Sequence, residues 1–461
     1  MKRSLDRSGE RPPITGTSKE VPPTWRSAIP VPESDSLLLR QSELDRARSE
    51  YRLGHYKEVL ADLLKLIAKL EQFFTRTEFS ADAIPYHLLY ASTWATLGHT
   101  YRVLRLDENA ATAFERAVRE FQEWIPRSTE EVAVGIHCDY GISLSEMGRI
   151  AEAIQAFESG AKNGALSSEG YRYYAESVGK QEHVSHEQLL FAETQLRESL
   201  NLDSNDPLTH RALARNLEAQ GKVDKALDCL RRAAALMVVN DKLAEAEATI
   251  GDALRLAPND AHALGIRGGI LVIMGRNGEA LTVLEQSLTI APDSGWVLGA
   301  KGQALAALGR DTEALDSLQH ALQADSSLSW VHFESGVVLN KFGRNAEALQ
   351  ALDEAIKLSA DYAMAFALKG YVLLDLDRRE EAIDAFFQAV HLDPSLDWVA
   401  VKLAETLSVL RRYDEALGVL NQELELQTTN VVALRGTKAD VLWDMGRHEE
   451  ALKTLDQTLS L

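Results

Sequence analysis

A period of 34 residues governs the second half of this chain. Glycine recurs at Gly268, Gly302, Gly336 and Gly370, and two further columns keep the same spacing. These columns are Ala280, Ala314, Ala348, Ala382 and Ala416, and Leu271, Leu305, Leu339, Leu373 and Leu407. Each period indicates a helix, a glycine-containing turn, a second helix and a short link. Because so short a helix pair cannot bury its apolar face alone, the pattern predicts hairpins that cover one another by stacking.

A stretch near residue 100 carries a fuller motif, W-x2-L-G-x2-Y followed by A-x3-F. Its residues are Trp94, Leu97, Gly98, Tyr101, Ala110, Phe114 and Ala117. In spacing and residue type this motif resembles the tetratricopeptide repeat family. The resemblance covers residues 40 to 461, with repeats that begin near residues 40, 91, 134, 207, 261, 295, 329, 363, 397 and 432. It implies an all-α fold, a right-handed α-solenoid (superhelix) of tandem antiparallel helix pairs, in the style of bacterial multi-repeat members of the family.

Composition and spacing divide the chain into four segments. Residues 1–35 hold six of the twelve prolines and are predicted to be a disordered leader. Residues 36–206 form an irregular N-terminal array, and residues 207–260 form an irregular junction repeat. Residues 261–461 form the regular C-terminal array.

Three irregularities stand out before residue 261. A longer connection containing Pro85 is expected between residues 74 and 90, and the repeat in residues 168–204 has a poor first helix. In the junction, the helix near residues 222–239 fits both the repeat before it and the repeat after it. We therefore expect this helix to be shared and the junction to divide the two arrays.

The regular array is expected to end without a capping helix, inside a repeat at Leu461. Such an end exposes apolar residues, here Trp443, Leu455 and Leu459. This pattern favours a fragment of a longer protein. The alternatives are an end that a partner covers and self-association through that end.

The formal net charge is −20; the leader carries a net charge of +1 and the rest of the chain −21. An acidic surface repels phosphate backbones, which argues against direct nucleic-acid binding and favours basic or apolar partners. The other interpretation is that acidic helix faces simply keep a long solenoid soluble. No apolar stretch is long enough to span a membrane. The two cysteines, Cys138 and Cys229, predict neither a disulfide framework nor a zinc site, and they fit a cytoplasmic protein.

Motifs for catalysis, cofactors and metals are not evident, so a non-enzymatic protein is expected. The glycines of residues 265–278 occupy packing and turn positions rather than a phosphate loop. His183 and His186 have helical spacing but lack a third ligand. Cys138, between a histidine and an aspartate, is interpreted as a packing residue, since adjacent helical residues point in different directions.

The candidate site is a groove along the first helices of the regular array. Positions 2, 5 and 9 of each repeat share one helical face, and the resemblance implies that this face lines the concave surface. The residues proposed to line a partner groove are His262, Trp296, Trp330, Phe333, Met364, Tyr371 and Trp398. Aromatic residues above small ones suit an amphipathic helix or an extended peptide. The competing interpretation is that the tryptophans are wedged between repeats as core.

Position 7 of these helices carries Arg267, Lys301 and Lys369, which either pair with acidic neighbours or face a partner's carboxylates. Family members that grip a C-terminal carboxylate do so with lysine and asparagine at positions 5 and 9. Those residue types are missing there, which disfavours binding of chaperone tails. The sequence thus predicts a protein-binding scaffold or adaptor. The alternative is the sensor or substrate-recruiting arm of a larger enzyme or signalling protein.

Overall fold

The computed structural model describes residues 37–76, 83–128, 134–426 and 430–459. The predicted leader at residues 1–35 lies outside these ranges. The described residues are α-helical throughout, with one 3₁₀ turn at Ile125–Arg127 and no strand. They fall into two compact units, Met1–Gln181 and Glu182–Leu461, which are taken in turn.

Within its described residues, the first unit has three antiparallel helix pairs and a seventh helix. The helices are α1 (Leu37–Arg52), α2 (Tyr56–Arg76), α3 (Ile84–Val103), α4 (Asp107–Trp124), α5 (Val134–Glu146), α6 (Ile150–Asn163) and α7 (Ser168–Gly179). Its core is aromatic and aliphatic, with Leu63, Leu97, Phe114 and Phe157 fully buried. In the motif near residue 100, Gly98 packs directly on the ring of Phe114.

Two expectations for this unit need correction. The predicted connection at residues 74–90 is mostly helix, because α2 runs to Arg76 and α3 begins at Ile84. Pro85 lies in the first turn of α3, where its missing N–H is no loss. The helix expected to be poor forms as α7, and the Ser167 hydroxyl accepts a hydrogen bond from the Gly170 N–H at 3.0 Å to cap it.

The second unit holds sixteen helices. They are α8 (His186–Leu202), α9 (Pro207–Ala219), α10 (Val223–Val239), α11 (Leu243–Leu256), α12 (Ala261–Ile273), α13 (Asn277–Ile290), α14 (Gly295–Ala307), α15 (Asp311–Ala324), α16 (Ser329–Lys341), α17 (Asn345–Leu358), α18 (Ala363–Asp375), α19 (Arg379–Leu392), α20 (Asp397–Val409), α21 (Tyr413–Glu425), α22 (Val431–Asp444) and α23 (His448–Leu459). The all-α solenoid fold class is confirmed by these stacked helix pairs. At the far end, Trp443, Leu455 and Leu459 are exposed.

The helix α10 packs against both α9 and α11, as expected for a shared helix. From α12 onward, first and second helices alternate regularly. The role of residues 207–260 as a divider between arrays, and the domain limits drawn from the sequence, stay predictions. The second compact unit, which contains the regular array, begins at Glu182. This is before the limits at residues 207 and 261 that were drawn from the sequence.

The second helices of the regular array begin with a repeated ion pair. An arginine just before each second helix forms a fork with the glutamate three residues later, as in Arg310 with Glu313 and Arg344 with Glu347. The glutamate also lies in the first turn of its helix, where the helix dipole favours negative charge. This ion pair is local to the start of each second helix, while the first helices carry the candidate groove. None of the helices in the described ranges is long and apolar enough to cross a membrane.

Candidate partner-binding groove

The predicted site includes the second residue of each first helix in the regular array from α12 to α20. These residues are His262 on α12, Trp296 on α14, Trp330 on α16, Met364 on α18 and Trp398 on α20. Together with Phe333 and Tyr371, they are called the Trp groove below. Each of the five stands at the start of its helix because the link before it is short and constant in length.

Glycines of the preceding repeat receive two of the tryptophan rings. A Cβ atom added at Gly269 would lie 2.8 Å from Trp296 Cη2, and one added at Gly299 would lie 2.6 Å from Trp330 Cη2. The glycines at positions 5 and 9 therefore make room for a ring that reaches back across the repeat boundary. This contact agrees with the interpretation that the tryptophans are wedged between repeats.

The side chains at position 2 are also partly open to solvent. Trp296 is 41% exposed, Met364 is 40% exposed and Trp398 is 39% exposed, while Trp330 is partly buried. A side chain that served only as core would be covered on all sides. Trp296 and Trp330 thus do both things, with one part of each side chain packed on the neighbouring repeat and another part open to solvent.

Aromatic contacts link the later part of the Trp groove. The rings of Tyr371 and Trp398 stack with centroids 5.9 Å apart, and Tyr371 also meets Phe386 edge-on at 5.3 Å. Phe333 contacts Tyr362, the residue before α18, at 5.1 Å. Among the described residues, no ring contact joins His262 or Met364 to the others. The predicted site is therefore a row of neighbouring contacts rather than one cluster.

A polar pair that the sequence analysis did not single out lies in the middle of this row. The Gln303 Nε2 on α14 donates a hydrogen bond to the Glu334 Oε1 on α16 at 2.9 Å. Burial raises the pKa of the Glu334 carboxyl above its ordinary value, against the hydrogen bond from Gln303 and the charge of Lys341. The sequence offered one signal for this pair. Glu334 follows Trp330 by four residues, and this spacing places both side chains on one face of a helix.

The basic residues at position 7 pair with acidic residues of the second helix of the preceding repeat. Lys369 contacts Asp353 at 2.6 Å, Lys301 contacts Glu285 at 3.1 Å, and Arg267 lies 3.9 Å from Glu247. Of the two roles expected for them, pairing with acidic neighbours is the one observed.

The residues considered for catalysis and metal binding do not assemble into a site. Cys138 is buried beside Gly170, and burial raises the pKa of its thiol, which disfavours the reactive thiolate. His183 and His186 are both exposed. Within the described ranges, no group of three His, Cys, Asp or Glu side chains is placed to hold a metal ion.

Solved structures with a similar fold include several repeat proteins. A structure of MamA matches with 19% identity over 34% of this chain and 92% of that chain, at a TM-score of 0.31. The structure titled "YrrB: a TPR protein with an unusual peptide-binding site" matches with 20% identity over 44% of this chain and 95% of that chain, at a TM-score of 0.29. The APC/C hetero-tetramer Cut9-Hcn1 matches with 12% identity over 89% of this chain and 97% of that chain, at a TM-score of 0.43. The search of curated proteins found no match.

Family models give the assignment. Models described as "Tetratricopeptide repeat" match residues 207–232, 238–295, 336–397 and 432–457. These stretches span the shared helix α10 and most of the regular array, where helix pairs recur every 34 residues. The chain is a tetratricopeptide repeat protein.

Proposed function

We propose that this chain is a non-catalytic adaptor that holds a segment of a partner polypeptide along the Trp groove. Tetratricopeptide repeats in general serve as scaffolds for protein–protein interaction, and such scaffolds are typically non-catalytic. The observation that carries the proposal is the double character of the position-2 residues. The Trp296 ring packs on Gly269 and the Trp398 ring on Tyr371, each in the preceding repeat, yet about two fifths of both residues stays exposed.

Fixed, partly exposed aromatic side chains are favourable for binding because little conformational entropy is left to lose. Tryptophan and tyrosine are also the residues that most often dominate the free energy of an interface. Cys138 and Cys229 are both free thiols, which supports a reducing compartment and hence a cytoplasmic adaptor.

The proposal is tested by affinity capture with the full chain and the double variant Trp330→Ala plus Trp398→Ala. We expect the wild type to retain a partner that the double variant loses. Phe387→Ala is the matched control, because Phe387 is a comparably exposed aromatic residue on the second helix α19. Circular dichroism establishes that each variant is folded. Equal capture by the wild type and the folded double variant would contradict the proposal.

A further inference from the structure

The pair Gln303–Glu334 and the ring of Trp330 form one contiguous patch in the Trp groove. Trp330 and Glu334 are separated by four residues on α16, and Gly299 and Gln303 by four residues on α14. The Trp330 ring lies over Gly299, and Glu334 accepts the hydrogen bond from Gln303. Two neighbouring helices are thus joined twice, once by an aromatic contact and once by a polar one.

The Glu334 carboxylate has no cation within ion-pair distance among the described residues, although it is partly buried. On α20, Glu405 is neutralised by Lys402 at 3.0 Å. Lys341, the cation whose charge acts on Glu334, itself contacts Asp311 at 3.3 Å. The free protein therefore keeps a partly buried negative charge next to aromatic rings, with only a neutral amide as its hydrogen-bond donor.

This arrangement distinguishes between possible occupants of the patch. A purely apolar side chain would bury the carboxylate further without compensating its charge, which is unfavourable. An acidic side chain would be repelled. A lysine or arginine side chain would neutralise the carboxylate, and its aliphatic stem or guanidinium plane would pack on the tryptophan face. The net charge of −20 also attracts basic segments.

We propose that a lysine or arginine side chain of the bound partner segment docks between Trp330 and Glu334, with its charge paired to the Glu334 carboxylate. This inference rests on the proposed function and adds the chemistry of the partner. The partner segment is then amphipathic, with apolar side chains for the rest of the Trp groove and one cation for this patch.

The test begins with a random dodecapeptide display library selected on the immobilised full chain. Selected peptides are counter-screened on Trp330→Ala plus Trp398→Ala, so that only binders of the Trp groove are kept. We expect these binders to share an arginine or lysine. Each binder is then synthesised with a fluorophore, and its affinity is measured by anisotropy with the cation intact and with arginine replaced by citrulline or lysine by norleucine.

The cation and the carboxylate are tested together in a double-mutant cycle. In the wild type, removing the peptide's charge is expected to weaken binding roughly tenfold, whereas in Glu334→Gln the loss is expected to stay within about twofold. Glu334→Gln keeps the acceptor oxygen for Gln303, so the fold is retained. Glu354→Gln removes the same charge from the exposed face of the second helix α17 and is expected to behave like the wild type.

The outcomes separate the two proposals. If no peptide prefers the wild type over the double tryptophan variant, the proposed function fails and this inference fails with it. If binders of the Trp groove are found without a shared cation, only the inference fails. An equal loss on removing the peptide's charge in the wild type and in Glu334→Gln would also overturn it.

Discussion

Single residues in the turn of each hairpin carry a backbone conformation that most side chains avoid. In the regular array, Gly275, Gly309 and Gly343 have φ near +70°, and the equivalent Asp377 and Arg411 have φ of 58° and 60°. A left-handed conformation costs a non-glycine residue about 1–2 kcal/mol. The turns at Asp377 and Arg411 therefore contain strain that the turns at Gly275, Gly309 and Gly343 do not.

Replacing Arg411 with glycine is expected to raise the free energy of unfolding by about 0.5–1 kcal/mol. Relief of the left-handed strain stabilises the folded chain. The larger conformational entropy of glycine in the unfolded chain offsets part of this gain. Urea denaturation followed by circular dichroism measures it. Gly309→Ala is the matched control, because no atom lies within 4 Å of the added Cβ and only the backbone conformation is tested. Gly309→Ala is expected to lower the free energy of unfolding by about 1 kcal/mol. Destabilisation by Arg411→Gly would contradict the prediction.

A buried carboxyl on α21 makes the stability of the last hairpins depend on pH. Glu423 is 1% exposed, and burial together with the nearby charge of Asp397 raises the pKa of its carboxyl. Below the ordinary pKa of 4.5, the carboxyl is protonated in both folded and unfolded states, so it causes no penalty. As the pH rises, the unfolded chain releases this proton more readily than the folded one, and stability falls.

We therefore expect Glu423→Gln to raise the melting temperature at pH 7 and to leave it nearly unchanged at pH 4. The amide removes the ionisation and can donate a hydrogen bond towards Asp397. Differential scanning calorimetry at the two pH values provides the measurement, with Glu425→Gln, exposed on the same helix, as the control. A gain of the same size at both pH values would show that ionisation of Glu423 is not the cause.

At the residue level, the sequence predicted what recurs and missed what occurs once. The glycine columns and the position-2 aromatics repeat every 34 residues, so packing roles could be assigned to them. Glu334 occurs once, as the only acidic residue of α16 in a chain of net charge −20, and its partner Gln303 belongs to another repeat. A single glutamate in such a sequence cannot be told from a solvated one until the two helices are placed side by side.

At the scale of helices, the crossing of the two helices in a hairpin depends on the glycine of the first. A Cβ added at Gly302 would lie 2.6 Å from Leu318 Cγ and 3.2 Å from the backbone oxygen of Ala314. Leu318 is fully buried and the Ala314 backbone is part of helix α15, so neither can move away easily. The close crossing sets the tilt of α14, which carries Trp296 and Gln303.

Gly302→Ala is expected to destabilise the protein by about 1–2 kcal/mol, since overpacking outweighs the higher helix propensity of alanine. Gly418→Ala, on α21, is the control, because its added Cβ meets no atom within 4 Å. That substitution is expected to stabilise by up to about 1 kcal/mol through helix propensity alone. Chemical denaturation of both variants measures the difference. Two variants of equal stability would mean that the crossing glycine is not required for space.

Helix boundaries were predictable where the period holds and less so elsewhere. In the regular array the links and turns recur, and the helices begin where the sequence places them. Before residue 207 no constant period exists, so Pro85 suggested a connection although it lies in the first turn of α3. The shared helix α10 was recognisable because Ala226 and Ala233 on it fit the second half of one repeat, while Ala246 and Ala253 on α11 fit the second half of the next.

For the whole molecule, the contacts of α8 explain why the second compact unit begins before the regular period does. Buried Ser199 on α8 and Thr209 on α9 are hydrogen-bonded at 3.0 Å. Glu193 on α8 accepts hydrogen bonds from Lys222 and Gln220. Burial raises the pKa of the Glu193 carboxyl. The hydrogen bonds from Lys222, Arg197 and Gln220 outweigh this effect and lower the pKa to about 2. The sequence pattern assigns this helix to the repeat in residues 168–204 and therefore does not attach it to α9.

A fragment of residues 182–461 is therefore expected to be more stable than one of residues 207–461. Starting the chain at residue 207 removes Ser199 and Asp206, which both hydrogen-bond to the buried Thr209 hydroxyl. It also uncovers the face of α9 that α8 packs against. Each lost buried contact costs several tenths to a few kcal/mol. Because each repeat contacts mainly its neighbours, the loss is expected to be local to α9 and α10. Urea denaturation monitored by circular dichroism gives the stability, and hydrogen exchange of the α9 amides locates the change. Equal stability of the two fragments, with equal exchange in α9, would place the structural boundary at residue 206 after all.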